Sequence, residues 1–188
     1  MTRHLLALGL LLAPGPALAH LDPGEHGSFM AGLTHPVFGL DHVLAMIGVG
    51  LWGATLGDLA RWSLATAFVA YMIFGFLLGV VWTLPLVEGV ILASVLVLGL
   101  VVALRLRPPL VVAVPLVGLF GFFHGNAHGA EVGEADAAFF ALGFVLATAL
   151  LHGAGLLIAW GYSKGREVLV RTLGWATVLG GLWMAAGL

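Results

Sequence analysis

The run from Leu110 to Glu131 reads LVVAVPLVGLFGFFHGNAHGAE, an apolar stretch that ends in a cluster of polar side chains. If the run is one helix, His124, His128 and Glu131 stand at i, i+4 and i+7 and project from one narrow face. Two imidazoles and a carboxylate suit a borderline divalent ion such as Ni²⁺, Co²⁺ or Zn²⁺. The alternative is a helix end with two hydrogen-bonded histidines and an acidic loop. Because a histidine inside an apolar span is costly and usually functional, we favour a metal site.

The overall composition indicates the class of protein. Of 188 residues, 61% are hydrophobic and 9% are charged, whereas about a quarter of an ordinary soluble domain is charged. We therefore predict an all-α, polytopic membrane protein. The net charge of −2 gives no reason to expect nucleic acid as a partner. The chain has no cysteine, which excludes disulfides and thiolate metal sites.

The N-terminal residues have the order of a secretory signal peptide. Arg3 is followed by an apolar stretch over residues 5–12 and by Ala17-Leu18-Ala19 before His20. We predict a signal peptide over residues 1–19 and a single six-helix transmembrane domain over residues 20–188. Cleavage would leave the mature N-terminus in the periplasm.

Apolar segments of roughly 20 residues, the length that crosses a bilayer, occupy most of the remaining chain. We predict six spans, over residues 36–57, 62–82, 86–104, 110–128, 137–162 and from the basic segment 163–171 to residue 188. Pro36 is expected in the first turn of the first span, after a non-helical His35 and a polar arm over residues 20–35. Glycines at positions 121, 125 and 129 form a ridge that lets a neighbouring helix approach the histidines.

Charged residues segregate between the two sides of the predicted membrane. If residue 20 lies outside, every loop with Lys or Arg faces the cytoplasm, as the positive-inside rule requires. Beyond residue 19, the cations are Arg61, Arg105, Arg107, Lys164, Arg166 and Arg171, and the outer anions are Asp22, Glu25, Glu88, Glu131, Glu134 and Asp136. The outer mouth would therefore attract cations.

Helical rise allows the depths of the histidines to be compared. His42 lies about 9 Å below the start of the first span, and His124 about 21 Å above the start of the fourth, in a core of roughly 30 Å. Two tiers are predicted at these depths: an outer tier of His35, His128 and Glu131, and an inner tier of Asp41, His42 and His124. Asp41 either ligates the ion or orients a histidine ring.

His152 lies apart from the other histidines. It follows Asp136 by 16 residues, or about 24 Å of helix, which places it past the midplane of the bilayer. One interpretation is a structural histidine bonded across helices, with Gly153 and Gly155 allowing close approach. The other is a further metal ligand that receives the ion after the inner tier. We favour the second.

Two motifs carry a resemblance to a known family. HPVFGLDH over residues 35–42 and FHGNAHGAE over residues 123–131 resemble the signature motifs of the HupE/UreJ family, hydrogenase and urease accessory proteins regarded as nickel permeases. The resemblance implies energy-independent uptake of Ni²⁺, with Co²⁺ proposed for some members. It implies that the residues for metal are His35, Asp41, His42, His124, His128 and Glu131.

The predicted function is secondary, ATP-independent transport of Ni²⁺, or of Co²⁺, from periplasm to cytoplasm across the inner membrane. The expected partners are the metal ion, the lipid bilayer and cytoplasmic nickel chaperones, with no prosthetic group and no nucleic acid. An intramembrane Zn²⁺-dependent hydrolase is the alternative, although the chain has no HExxH motif. A metal sensor is disfavoured because the inner loops offer little output surface. We do not expect an enzyme.

Overall fold

The computed structural model describes residues 23–133, 135–160 and 164–187. The predicted signal peptide over residues 1–19, together with His20, Asp22 and Glu134, lies outside them. The described residues form seven helices and no strand, which confirms the all-α class. They are α1 (Pro23–Phe38), α2 (Leu40–Leu56), α3 (Asp58–Gly79), α4 (Val87–Ala103), α5 (Leu110–Glu131), α6 (Ala137–Ala159) and α7 (Lys164–Ala185).

The first predicted span is broken. Helices α1 and α2 meet at Gly39 with a bend of 80°, so the prediction that a helix begins at Pro36 is wrong. His35 and Pro36 lie near the end of α1, and the predicted polar arm is helical from Pro23. The physical reason is packing on α6, since a Cβ at Gly32 would overlap the carbonyl oxygen of Phe140. This close contact stabilises the segment as a helix, although its polarity predicted a non-helical arm.

Four helices are long and apolar enough to cross a membrane: α3, α5, α6 and the part of α7 from Arg166 to Ala185. The bent pair of α1 and α2 makes a fifth if it counts as one span, and α4 is apolar but only 17 residues long. By length and composition the described residues thus contain four or five candidate spans, fewer than the predicted six. Large apolar side chains cover the outside of the bundle, among them Phe74, Leu119, Leu142, Leu150 and Leu157, as a surface in contact with lipid requires.

Glycines hold the helices close together. On α5, a Cβ at Gly121, Gly125 or Gly129 would overlap a backbone carbonyl of α3. The predicted ridge therefore exists, and its neighbour is α3, the helix on which α5 packs most extensively. Helices α2 and α6 approach each other in the same way, with Gly50 of α2 against Gly155 of α6. Close backbone approach is the usual basis of helix association in membranes.

The arginines and the predicted outer carboxylates lie at opposite ends of the bundle. At one end Arg105 binds Glu167 at 2.6 Å, and Arg61 lies 5.7 Å from the ring of Trp160. At the other end, Glu88 lies in the first turn of α4 and Glu131 ends α5. In the described part of the chain, the predicted segregation of Arg from the outer carboxylates is thus present.

Candidate metal site

The break at Gly39 brings α1, α2 and α5 together around a line of histidine rings. The ring centroids of His35 and His128 lie 4.5 Å apart, those of His128 and His42 also 4.5 Å, and those of His42 and His124 4.9 Å. His42, which the sequence placed at the depth of His124, touches it. The first predicted span therefore meets the fourth.

Glu131 joins the outermost rings. Its Oε2 lies 3.2 Å from Nε2 of His35 and 3.2 Å from Nδ1 of His128. The nearest ligand atoms of these three residues lie within 4.8 Å of one another, close enough to hold a metal ion. The Glu131 side chain is 52% exposed whereas that of His128 is 3% exposed, so the cluster leads from the surface into the interior. The grouping is that of the predicted outer tier.

Asp41 lies against the ring of His42. Its Oδ1 is 2.6 Å from Nδ1 of His42 and also accepts the backbone N–H of His42 at 2.8 Å. A carboxylate only accepts hydrogen bonds, so Nδ1 of His42 is the donor. This contact fixes the ring with Nε2 directed at α5, the geometry in which a carboxylate orients a metal-binding histidine.

Two imidazole nitrogens face each other at the centre of the line. Nε2 of His42 lies 2.5 Å from Nε2 of His128, and both rings direct Nδ1 at a carboxylate. In their neutral forms the two rings present bare lone pairs to each other, a repulsion that a proton or a cation between them removes. An ion with metal–nitrogen bonds of about 2.1 Å needs these atoms about 3 Å apart, so the rings would separate slightly around it.

The two predicted tiers lie in contact with each other. The ring centroid of His42 lies 4.5 Å from that of His128 in the outer tier and 4.9 Å from that of His124 in its own tier. Asp41 of the inner tier bonds to His42. The two tiers therefore form one continuous line of rings.

Two histidines lie deeper in the bundle. His124 donates from Nδ1 to the carbonyl of Phe120 at 2.9 Å, and its buried Nε2 has no partner among the described residues. Neither ring nitrogen of His152 has one. The hydrogen bond across helices that a purely structural His152 requires is therefore not found there. The ring of Phe68 contacts both histidines, with its centroid 5.3 Å from His124 and 5.1 Å from His152.

The sequence interpretation missed two residues of this region. Asn126 lies between His124 and His128 in the sequence. Its side chain is fully buried and bonds to the turn that precedes α4. A signal existed, because an amide inside an apolar helix needs partners. Phe68 is one of 11 phenylalanines and carries no mark in the sequence that separates it from the others.

Comparisons with known proteins identify the family. A family model described as HupE / UreJ protein matches residues 8–184. The chain is 40% identical over 191 residues to Protein HupE of Rhizobium leguminosarum bv. viciae, an alignment that covers 100% of this chain and 97% of that protein. No solved structure matches. The match along nearly the whole chain, on both motifs that form the histidine line, shows that this protein belongs to the HupE/UreJ family.

Proposed function

We propose that the protein is a secondary permease that carries Ni²⁺, with Co²⁺ as the alternative ion, from the periplasm to the cytoplasm. Its family is one of nickel and cobalt transport accessory proteins. The observation that carries the proposal is the line of imidazoles from Glu131 to His124. Ligands at successive depths let a cation bind well enough to enter and move on to the next site.

Each residue has a role in this proposal. Glu131, His35 and His128 capture the cation at the outer end, and His42 accepts it with Asp41 holding the ring. His124 follows, and His152 is the last ligand before the cytoplasmic end. The support for His152 is that neither of its buried ring nitrogens has a partner among the described residues, because such nitrogens are costly in a membrane interior unless something binds them.

The membrane arrangement follows from the charges. We propose six spans in the inner membrane, counting α1 with α2 as one and including α4, whose 17 residues extend about 26 Å. The arginines at one end of the bundle face the cytoplasm, where nickel chaperones receive the ion. Cleavage after residue 19 leaves the mature N-terminus in the periplasm. The acidic end then faces the source of metal.

A zinc hydrolase is not favoured. In zinc hydrolases of the HExxH type, a carboxylate that does not ligate the metal acts as the general base on water. Glu131 binds His35 and His128, and Asp41 binds His42, so both carboxylates of the site are engaged with imidazoles.

Purified protein in sealed liposomes tests the proposal. We expect Ni²⁺ added outside to enter down its gradient without ATP, and Co²⁺ to compete. Liposomes without protein, and liposomes with a His128→Ala variant, serve as controls. Entry at the same rate in all three preparations would overturn the proposal.

A further inference from the structure

Asn126 stands between the histidines of α5 in sequence, but its side chain bonds in another direction. It is fully buried. Its Oδ1 accepts the backbone N–H of Leu84 at 2.8 Å, and its Nδ2 donates to the carbonyl of Trp82 at 3.1 Å. A weaker contact reaches the carbonyl of Gly75 at 3.4 Å. The amide therefore satisfies the backbone of the turn between α3 and α4.

The turn over residues 80–86 depends on α5 for its position. Leu86, in the left-handed region with φ of 64°, precedes α4 without a side-chain cap. The side chain of Leu84 packs with Phe123 on the small apolar cluster that includes Ala127. Asn126 and this cluster together hold the turn against α5. A substitution at Asn126 should therefore displace the turn more than the histidines.

A cavity of about 360 Å³ lies between this turn and the outer end of α5. Its lining residues are Thr83, Leu84, Leu86, Val87, Glu88, Ala127, Ala130 and Glu131. Glu131 also binds His35 and His128, so the cavity reaches the histidine line through one carboxylate. An ion with six waters at about 2.1 Å has a volume of about 180 Å³. The cavity accommodates such an ion with its hydration shell.

We propose that this cavity is the outer entrance by which a hydrated divalent cation reaches Glu131, and that Asn126 is the positioning residue that holds its wall. The inference rests on the proposed transport function. Without Asn126, the N–H of Leu84 and the carbonyl of Trp82 lose their partner, and the turn shifts to find another. The wall opposite Glu131 then moves, while the line from His35 to His124 keeps its contacts. The competing route runs past His35, whose side chain is 20% exposed.

Cysteine accessibility tests the route, because the chain has no native cysteine. Ala130→Cys places an exposed thiol in the cavity wall, and Leu119→Cys on the same helix places one on the outer apolar surface. A cationic, membrane-impermeant thiol reagent is applied to right-side-out vesicles. We expect it to modify Ala130→Cys and not Leu119→Cys, and Ni²⁺ to slow the modification. An Ala130→Cys thiol that is inert from outside, or reactive only from inside, overturns the entrance and leaves the route past His35.

Transport kinetics test the role of Asn126. We expect Asn126→Ala to raise the apparent KM for Ni²⁺ by about tenfold with the maximal rate changed less than about twofold, since access is impaired and later steps are not. Asn126→Asp keeps the acceptor for Leu84 and should raise KM less, and it serves if the alanine variant accumulates poorly. Ser94→Ala, at a buried hydroxyl bonded within its own helix, should match the wild type. A lower maximal rate at unchanged KM in both Asn126 variants overturns the positioning role.

The two levels of inference fail separately. If wild-type liposomes take up no Ni²⁺, the transport function is wrong, whatever the thiol reagent does. If they take up Ni²⁺ while Ala130→Cys stays inert from outside, only the entrance is wrong.

Discussion

The outer and inner parts of the histidine line differ in what surrounds each ring. At the outer end, His35, His128 and His42 each lie within 3.2 Å of a carboxylate oxygen. Deeper in the bundle, His124 bonds only to a carbonyl of its own helix, and His152 has no hydrogen-bond partner in the described residues. Within the described ranges, carboxylates thus bond to the rings where the line opens, and none bonds to the two deeper histidines.

The difference indicates where a transported cation is held most strongly. Carboxylates stabilise a divalent ion directly and through the imidazoles they orient, whereas neutral imidazoles alone stabilise it less. On the proposed function, affinity therefore falls inward, which favours capture outside and release inside. The predictions below alter one side of this comparison at a time.

The largest effect is expected at His128, which contacts His35, His42 and Glu131. His128→Ala should lower Ni²⁺ uptake by about 100-fold, because it removes the ring through which the outer end meets the rest of the line. Uptake of Ni²⁺ by cells is measured at equal amounts of membrane-inserted protein. Thr148→Ala, at a buried hydroxyl whose contact is the sulfur of Met72, is the control. Uptake above a tenth of wild type would contradict the central position of His128.

The outer part of the histidine line is supported by the close packing of α3 against α5, and Gly125→Ala tests this packing. A Cβ there would overlap the carbonyl oxygen of Met72, so α3 and α5 must separate at a cost of about 2 kcal/mol, or about 30-fold in the unfolding equilibrium. Thermal unfolding in detergent measures the loss. Gly153→Ala, beside His152, meets nothing within 4 Å and should be neutral or gain up to about 1 kcal/mol. Equal destabilisation of both variants would refute the contrast.

At the inner part, His152 distinguishes a pathway ligand from a structural residue. His152→Ala, His152→Asn and His152→Gln should each reach the membrane but reduce uptake by about tenfold, since an amide is a poor substitute for an imidazole ligand. The same uptake assay and immunoblot apply. An Asn or Gln variant with full uptake would leave only a hydrogen-bonding role for His152.

The smallest effect is expected at Asp41, which orients a ring. Asp41→Asn keeps an acceptor for Nδ1 of His42 but removes the negative charge. KM for Ni²⁺ should therefore rise by about fivefold, which is less than the loss of about tenfold or more in metal affinity that follows when a metal-binding histidine loses its carboxylate partner. Asp41→Ala should have a larger effect. Asp58→Asn, at the other end of the bundle and paired with Arg61, is the control. If Asn and Ala at position 41 abolish uptake equally, Asp41 is a direct ligand.

Much of the candidate site was predictable because it lies on one helix. The i, i+4, i+7 spacing of His124, His128 and Glu131 placed them on one face of α5, and the rise per residue brought His42 to the level of His124. The helical state of His35 was not predictable, since the packing of Gly32 on α6 decides it. Local polarity and the proline favoured a non-helical arm. The contact of Gly32 with α6, about 100 residues away in the sequence, instead stabilises a helix there.

The sequence by itself determined the all-α class, the segregation of charges between the two ends, the glycine ridge of α5 and the ligand types of the histidine line. These depend on composition and helical period, which are local properties of the chain. Only the tertiary structure decided that the line is continuous, that Asp41 holds His42, and that Asn126 bonds a turn 42 residues earlier. The reason is that each of these contacts depends on which helices pack together and at what angle, and no spacing within one helix contains that information.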